Sequence, residues 1–183
     1  MSLYHQLLER QQQGRPIRVG LIGAGKFGSM YLSQIPRTPG VHLMGIADLS
    51  PDRARANLKL VGWREDIPRA RNLDEALRDG STCITEDWKA LVEHPALDVL
   101  VECTGSPPHA VEHILHAFAH GKHVVNVTVE ADAFCGPLLA RRAASAGVVY
   151  SLAFGDQPAL ICDLVDWART CGFPVVAAGR GHK

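Results

Sequence analysis

The residues able to do chemistry in this chain collect where apolar runs end. Gly23-Ala24-Gly25-Lys26-Phe27-Gly28 reads GxGxxG directly after the run Ile17 to Ile22 and directly before a segment of helical period. In that setting Gly23 makes a tight turn, Gly25 lets the backbone approach a pyrophosphate, and Gly28 lets the helix pack closely on the strand. Lys26 and Phe27 open that helix, whose N-terminal N–H groups attract an anion. The string alone is weak evidence; its place between strand and helix makes it informative. Asp48 ends the next apolar run, 20 residues beyond Gly28, where a carboxylate accepts hydrogen bonds from the adenosine ribose hydroxyls. It favours NAD by repelling a 2′-phosphate. Ser50, Arg53 and Arg55 follow closely and offer a cation to the phosphate of NADP, and a turn or capping role for Asp48 also fits. The sequence leaves that choice open.

Other polar groups stand at equivalent places. Thr104 and Gly105 follow the run Val99 to Cys103, and ligands of an open α/β sheet bind outside such C-terminal strand ends. They are therefore expected beside the ribose and nicotinamide, with a merely structural turn before Pro107 as the alternative. Glu130 and Asp132 follow the run His123 to Val127, and Asp156 follows Val148 to Leu152. Glu130 and Asp156 are the candidates for acid–base or polarising work on a substrate. Capping of the next helix is the competing role for Asp132 and for Asp156. His109, His113 and His116 share one helical face, but no carboxylate or thiol stands at matching spacing. That face reads as a solvated helix surface, and no metal ligand set is expected.

These groups must be positioned by alternating strands and helices. The runs 17–22, 41–47, 99–103, 123–127, 148–152 and 175–178 read as strands. Helical period marks 26–35, 51–60, 86–93, 107–120, 132–146 and 158–171. Ser50-Pro51 supplies an N-cap followed by proline at the first helical position, and Pro36 and Pro39 end the helix from Lys26. Residues 62–82 are more polar, with short helical turns expected around Arg64 and from Asp74 to Arg78. The strands are continuous apolar runs, as a parallel sheet covered on both faces requires. The expected fold class is α/β: a doubly wound parallel sheet of the Rossmann type. Its parts are an N-terminal extension over 1–16, a dinucleotide-binding core over 17–157, and a last helix and strand over 158–183.

Composition narrows the partners. In 183 residues, 19 Lys and Arg balance 19 Asp and Glu, so there is no basic stripe to release counterions from nucleic acid and no polybasic tract for an anionic membrane. No apolar run approaches the roughly 20 residues that span a bilayer, and the Gln-rich start lacks a signal-peptide core. The five cysteines are scattered and read as small apolar residues of a reducing cytoplasm.

Arg18 to Gly28 (RVGLIGAGKFG), Val99 to Gly105, Gly121 to Glu130 (GKHVVNVTVE), Val127 to Asp132 and Gly155 to Pro158 (GDQP) resemble the homoserine-dehydrogenase-like NAD(P)-binding oxidoreductases. The closest likeness is to the 1-deoxy-D-xylulose 5-phosphate reductoisomerase-like enzymes. The resemblance implies NADPH-linked reduction of a small hydroxy or keto substrate, with a sugar phosphate among the candidates. The sequence departs from the broader families in lacking a lysine after Gly121 to Val125, which puts sugar and homoserine dehydrogenase activity in doubt. Such enzymes continue into a substrate and dimerisation domain, so the 183-residue chain is expected to bind cofactor but to be inactive alone, with self-association through the uncovered surface open to it. The alternative is a non-catalytic module that binds or senses a dinucleotide.

Overall fold

The computed structural model describes residues 2–64, 67–155 and 157–179. Along the chain run α1 (Leu3–Gln12), β1 (Ile17–Ile22), α2 (Lys26–Gln34) with a 3-10 turn (Ile35–Arg37), β2 (Val41–Ala47), α3 (Pro51–Leu60) and α4 (Leu73–Asp79). There follow β3 (Cys83–Thr85), α5 (Trp88–Glu93), β4 (Val99–Glu102), α6 (Pro107–Ala119), β5 (His123–Asn126), α7 (Val129–Ala146), β6 (Tyr150–Leu152) and α8 (Gln157–Thr170). All five strand pairs are parallel, in the order β3-β2-β1-β4-β5-β6. The chain winds outward from β1 in one direction and from β4 in the other, so the switch point lies between them. This is the expected doubly wound Rossmann-type sheet.

Each face of the sheet carries its own core. Leu100 of β4 packs with Met44, Leu91, Ile114 and Leu139, under α5, α6 and α7. Its neighbour Val101 packs with Leu21, Leu32, Ile46 and Leu58, under α2 and α3. Burial of alternate residues on opposite faces is why the strands read as unbroken apolar runs. Gly20 and Gly45 are paired in register, and a Cβ on either would lie 3.2 Å or less from Leu91. The pair leaves the hollow into which α5 settles.

Several expectations are corrected. Residues 83–85 form an edge strand on β2; three residues are too few for periodicity to register. The helix expected over 86–93 is α5, capped by Asp87, which accepts from the Ala90 N–H at 2.9 Å. The N-terminal extension carries α1, a polar helix with no buried residue and so no apolar face to read. Helix α7 begins at Val129, three residues before Asp132, and bends at Cys135 (φ −143°) ahead of Pro137, whose ring excludes a regular turn before it. Residues 175–178 pair with no strand. Arg64 is not helical, and residues 65 and 66 of the turn expected there lie outside the described residues.

Candidate functional site

The loop after β1 is shaped by steric necessity. Gly23 has φ +94°, and a Cβ there would meet the Cys103 carbonyl oxygen at 2.8 Å and the Thr104 nitrogen at 2.9 Å. Gly28 lies directly against the Gly23 carbonyl oxygen, so no side chain fits between α2 and the turn. Gly25 differs from both: a Cβ there would meet nothing within 4 Å. It is also the N-cap of α2 and makes no side-chain capping bond, which leaves first-turn N–H groups available to an anion. Lys26 and Phe27 are exposed on that turn.

Asp48 holds this loop from the neighbouring strand. It is 7% exposed; Oδ2 accepts from the Ala24 N–H at 2.9 Å, and Oδ1 accepts from the Ser50 N–H at 2.9 Å and from Arg53 Nη2 at 3.0 Å. Asn57 Nδ2 donates to the Ala24 carbonyl at 2.7 Å and fixes the loop from α3. The Arg53 side chain is 62% exposed. Asp48 therefore takes the turn role left open for it in the sequence, holds the glycine loop through the Ala24 N–H, and carries Arg53 as a cation partner.

Gly23, Gly25, Asp48, Arg53 and Thr104 line one cavity of about 250 Å³. Trp88 and His113 form part of its wall, with their rings 4.4 Å apart edge to face. Cys103 borders this cavity and also a second hollow of about 500 Å³, together with Phe27, Gly105 and Glu130. The two hollows thus adjoin at the C-terminal ends of β1 and β4.

Beneath their junction is a polar network centred on Glu102, which is fully buried. Its Oε1 accepts from Thr104 Oγ1 at 2.6 Å and the Thr104 N–H at 3.2 Å, and lies 3.4 Å from His113 Nδ1. Its Oε2 accepts from the Thr128 hydroxyl, which in turn accepts from the Gly105 N–H at 3.0 Å. Thr104 and Gly105 are thereby tied down from below. Asn126 extends the network: its side chain brackets Thr128 and donates to the Tyr150 hydroxyl at 3.1 Å, which donates to Asp132 Oδ1 at 2.9 Å. Burial, and the Asp132 carboxylate beside it, push the Tyr150 hydroxyl up. Among the described residues no buried side-chain polar atom lacks a partner. Burial, with Glu102 and Asp48 nearby, likewise pushes the Cys103 thiol far up, which disfavours its thiolate.

The acids expected to act on substrate fare differently. Glu130 is exposed in the first turn of α7, on the rim of the second hollow and apart from the buried network. Asp132 does not cap its helix; it accepts from Tyr150 in the interior of the turn. Asp156 lies outside the described residues, as does the stretch 180–183. The histidine face is also corrected: His113 is 5% exposed and belongs to the network. Sequence reasoning missed Glu102, His113 and Thr128. The signal was there in Glu102, a charged residue closing a buried apolar strand.

Residues 23–150 match the family model described as homoserine dehydrogenase, NAD binding domain, and residues 155–183 match that of oxidoreductase DRL, catalytic domain. A homoserine dehydrogenase of Synechocystis sp. is 31% identical over 133 residues, covering 72% of this chain and 28% of the relative. Glycosyl hydrolase family 109 protein 1 of Bacteroides fragilis is 33% identical over 109 residues, 59% of this chain and 21% of the relative. The chain thus spans less than a third of either relative. In fold it resembles a homoserine dehydrogenase from Thiobacillus denitrificans (TM-score 0.59, 24% identity), over 75% of this chain and 29% of that one. A putative oxidoreductase from Magnetospirillum magnetotacticum matches over 75% of this chain and 38% of its own, at TM-score 0.52 and 29% identity. Among the described residues no helix is long and apolar enough to cross a membrane. With the family model matched over most of the chain, this protein belongs to the homoserine dehydrogenase NAD-binding domain family, as an NAD(P)-binding domain of the oxidoreductase type.

Proposed function

We propose that the chain is the cofactor domain of a cytoplasmic oxidoreductase that moves hydride between NAD(P) and a small hydroxy or keto substrate, a sugar phosphate in the reading closest to the 1-deoxy-D-xylulose 5-phosphate reductoisomerase-like enzymes. The cavity at the β1–β4 switch point carries the proposal. Its loop is emptied of side chains by Gly23 and Gly28, opens at Gly25, and ends on an uncapped helix N-terminus, features that fit a pyrophosphate. A bound dinucleotide would supply the hydride. Gly23 to Gly28 hold the pyrophosphate, and Asp48 and Arg53 face the adenosine ribose. Thr104 and Gly105, anchored by Glu102 and Thr128, orient the nicotinamide end, and Glu130 and Asp156 serve the substrate. The match of residues 155–183 to a catalytic domain supports placing substrate contacts after β6.

Fluorescence titration tests binding: the chain saturates with NADH or NADPH, and failure to saturate with either refutes the assignment. Residues 1–183 alone are expected to bind without turnover. Holding the reacting carbon against the nicotinamide can account for about 7–11 kcal/mol of a barrier, and the two adjoining hollows offer Glu130 on the rim of the second but no lysine to do it. Hydride transfer to sugar phosphates or hydroxy acids at a rate equal to that of a full-length relative would overturn the expected inactivity. A second reading, a binding module without turnover, is favoured by one observation: Thr104, Thr128 and Glu102 already satisfy one another. It would be supported if a longer protein containing this domain also binds the dinucleotide without reducing any such substrate.

Cofactor choice follows from the Asp48–Arg53 pair. Arg53 offsets the carboxylate that would repel a 2′-phosphate and keeps an exposed guanidinium beside it, so both dinucleotides are accepted in this proposal. Arg53→Ala should weaken NADPH about tenfold, the lower end of what a charge-assisted hydrogen bond contributes, and NADH less. Equal losses for the two would remove Arg53 from cofactor choice. Asp48→Ala should weaken both, because the Ala24 and Ser50 N–H groups lose their acceptor.

A further inference from the structure

We propose a divalent transition-metal site of the zinc class on the surface formed by α5 and α6, made by Glu93, His116 and His120. One ligand atom from each of the three lies within 4.8 Å of the other two. His116 lies in the last turn of α6 and His120 is the residue that caps its C-terminus, four positions on, and their ring centroids are 4.4 Å apart. Glu93, at the end of α5, supplies the carboxylate that spacing within α6 could not: its Oε1 lies 2.8 Å from His116 Nε2.

Each imidazole is oriented by a further contact. His120 Nδ1 lies 2.9 Å from the His116 carbonyl oxygen, so it carries the proton and leaves Nε2 free as a ligand. His116 is held by Trp88, whose ring packs edge-on at 5.2 Å. A tetrahedral ion with bonds of about 2.0–2.2 Å separates its ligand atoms by about 3.3–3.6 Å, which small side-chain rotations here would reach. Two imidazoles and one carboxylate, with a remaining position for water, select a borderline-soft cation over magnesium or calcium, which take oxygen ligands. A bound ion would tie α5 to α6 beside Trp88, and so stiffen the wall that Trp88 and His113 give the dinucleotide cavity.

Calorimetric titration of the 183-residue chain with zinc tests the site. One zinc per chain should bind, while magnesium gives no heat. Glu93→Gln and His120→Ala should each weaken zinc at least about tenfold, since loss of even an outer-shell partner can cost 10–100-fold in metal affinity. Both positions are exposed, so the variants should fold, with melting curves in chelator unchanged. His5→Ala, which removes an exposed histidine in α1, should leave zinc affinity unchanged. Zinc should raise the melting temperature of the parent chain, because it binds the folded state, and should not do so in a variant carrying both Glu93→Gln and His120→Ala. Affinity unaltered by Glu93→Gln and His120→Ala, or lowered equally by His5→Ala, would overturn the proposal, as would the absence of saturable zinc binding.

Discussion

Gly25→Val is expected to remove dinucleotide binding from a chain that still folds. The three loop glycines divide the work in a way that makes this separation testable. At Gly23 and Gly28 an added side chain meets backbone atoms of Cys103 or of Gly23 itself, so substitution there should destabilise the domain before any ligand is added. At Gly25 the added Cβ meets nothing within 4 Å, and φ is −73°, a value that L-residues adopt freely. The cost to the folded chain is that of a poor N-cap, below about 1 kcal/mol. The same open space is where a pyrophosphate would approach the first turn of α2. Two isopropyl methyls there would part the phosphate from its N–H donors, at about 1.5–3 kcal/mol for each charge-assisted bond lost. Loss of two such bonds lowers affinity on the order of a hundredfold or more. Titration with NADH and NADPH, beside urea unfolding of the same preparation, reads both halves of the expectation. Parent-like affinity in the folded variant would mean that no dinucleotide lies on this loop.

The parts of the fold that could be read directly are those in which the cause is local. Strand β1, the glycine loop and α2 announce themselves because an apolar run stops at a glycine and a helical period follows. Strand β2 and α3 do so because Ser50 and Pro51 mark a helix start. Strand β3 is invisible by length, and α1 by lack of an apolar face. The site was half legible for the same reason. Gly23, Gly25 and Gly28 act through their own backbone, so spacing reveals them. Asp48 was recognised as a polar group at a strand end, but its bond to the Ala24 N–H exists only once β1 and β2 lie side by side. Glu102 depends on His113 from α6 and Thr128 from the β5–α7 turn, and Glu93 meets His116 across two helices. Such contacts have no fixed spacing, and a single sequence carries no mark of them beyond an oddly placed charge.

That oddly placed charge should be one of the most sensitive positions in the domain. Glu102 is fully buried and accepts from both Thr104 donors and from Thr128, with His113 at 3.4 Å. Glu102→Ala takes the acceptor away and leaves a cavity. Thr104 is exposed and can turn to water, but Thr128 is 2% and His113 5% exposed, and water cannot readily replace what they lose. Unpaired buried donors cost about 1–3 kcal/mol each and the cavity left by the side chain adds to that, so the variant should lose about 3–5 kcal/mol. This is a large fraction of the roughly 5–15 kcal/mol that holds a domain folded. Glu102→Gln keeps one carbonyl acceptor and the volume, and the Thr128 hydroxyl can reorient as donor or acceptor, so its loss should be nearer 1 kcal/mol. The urea midpoint should fall with an unchanged slope, which marks a change in stability alone. Below the midpoint, the fraction of Glu102→Ala still folded should bind dinucleotide more weakly than Glu102→Gln, because Thr104 and Gly105 are no longer anchored. If Glu102→Ala stays within about 0.5 kcal/mol of the parent, as an unremarkable surface change would, then the buried network does not hold the strand ends, and the cavity owes its shape to the glycine loop alone.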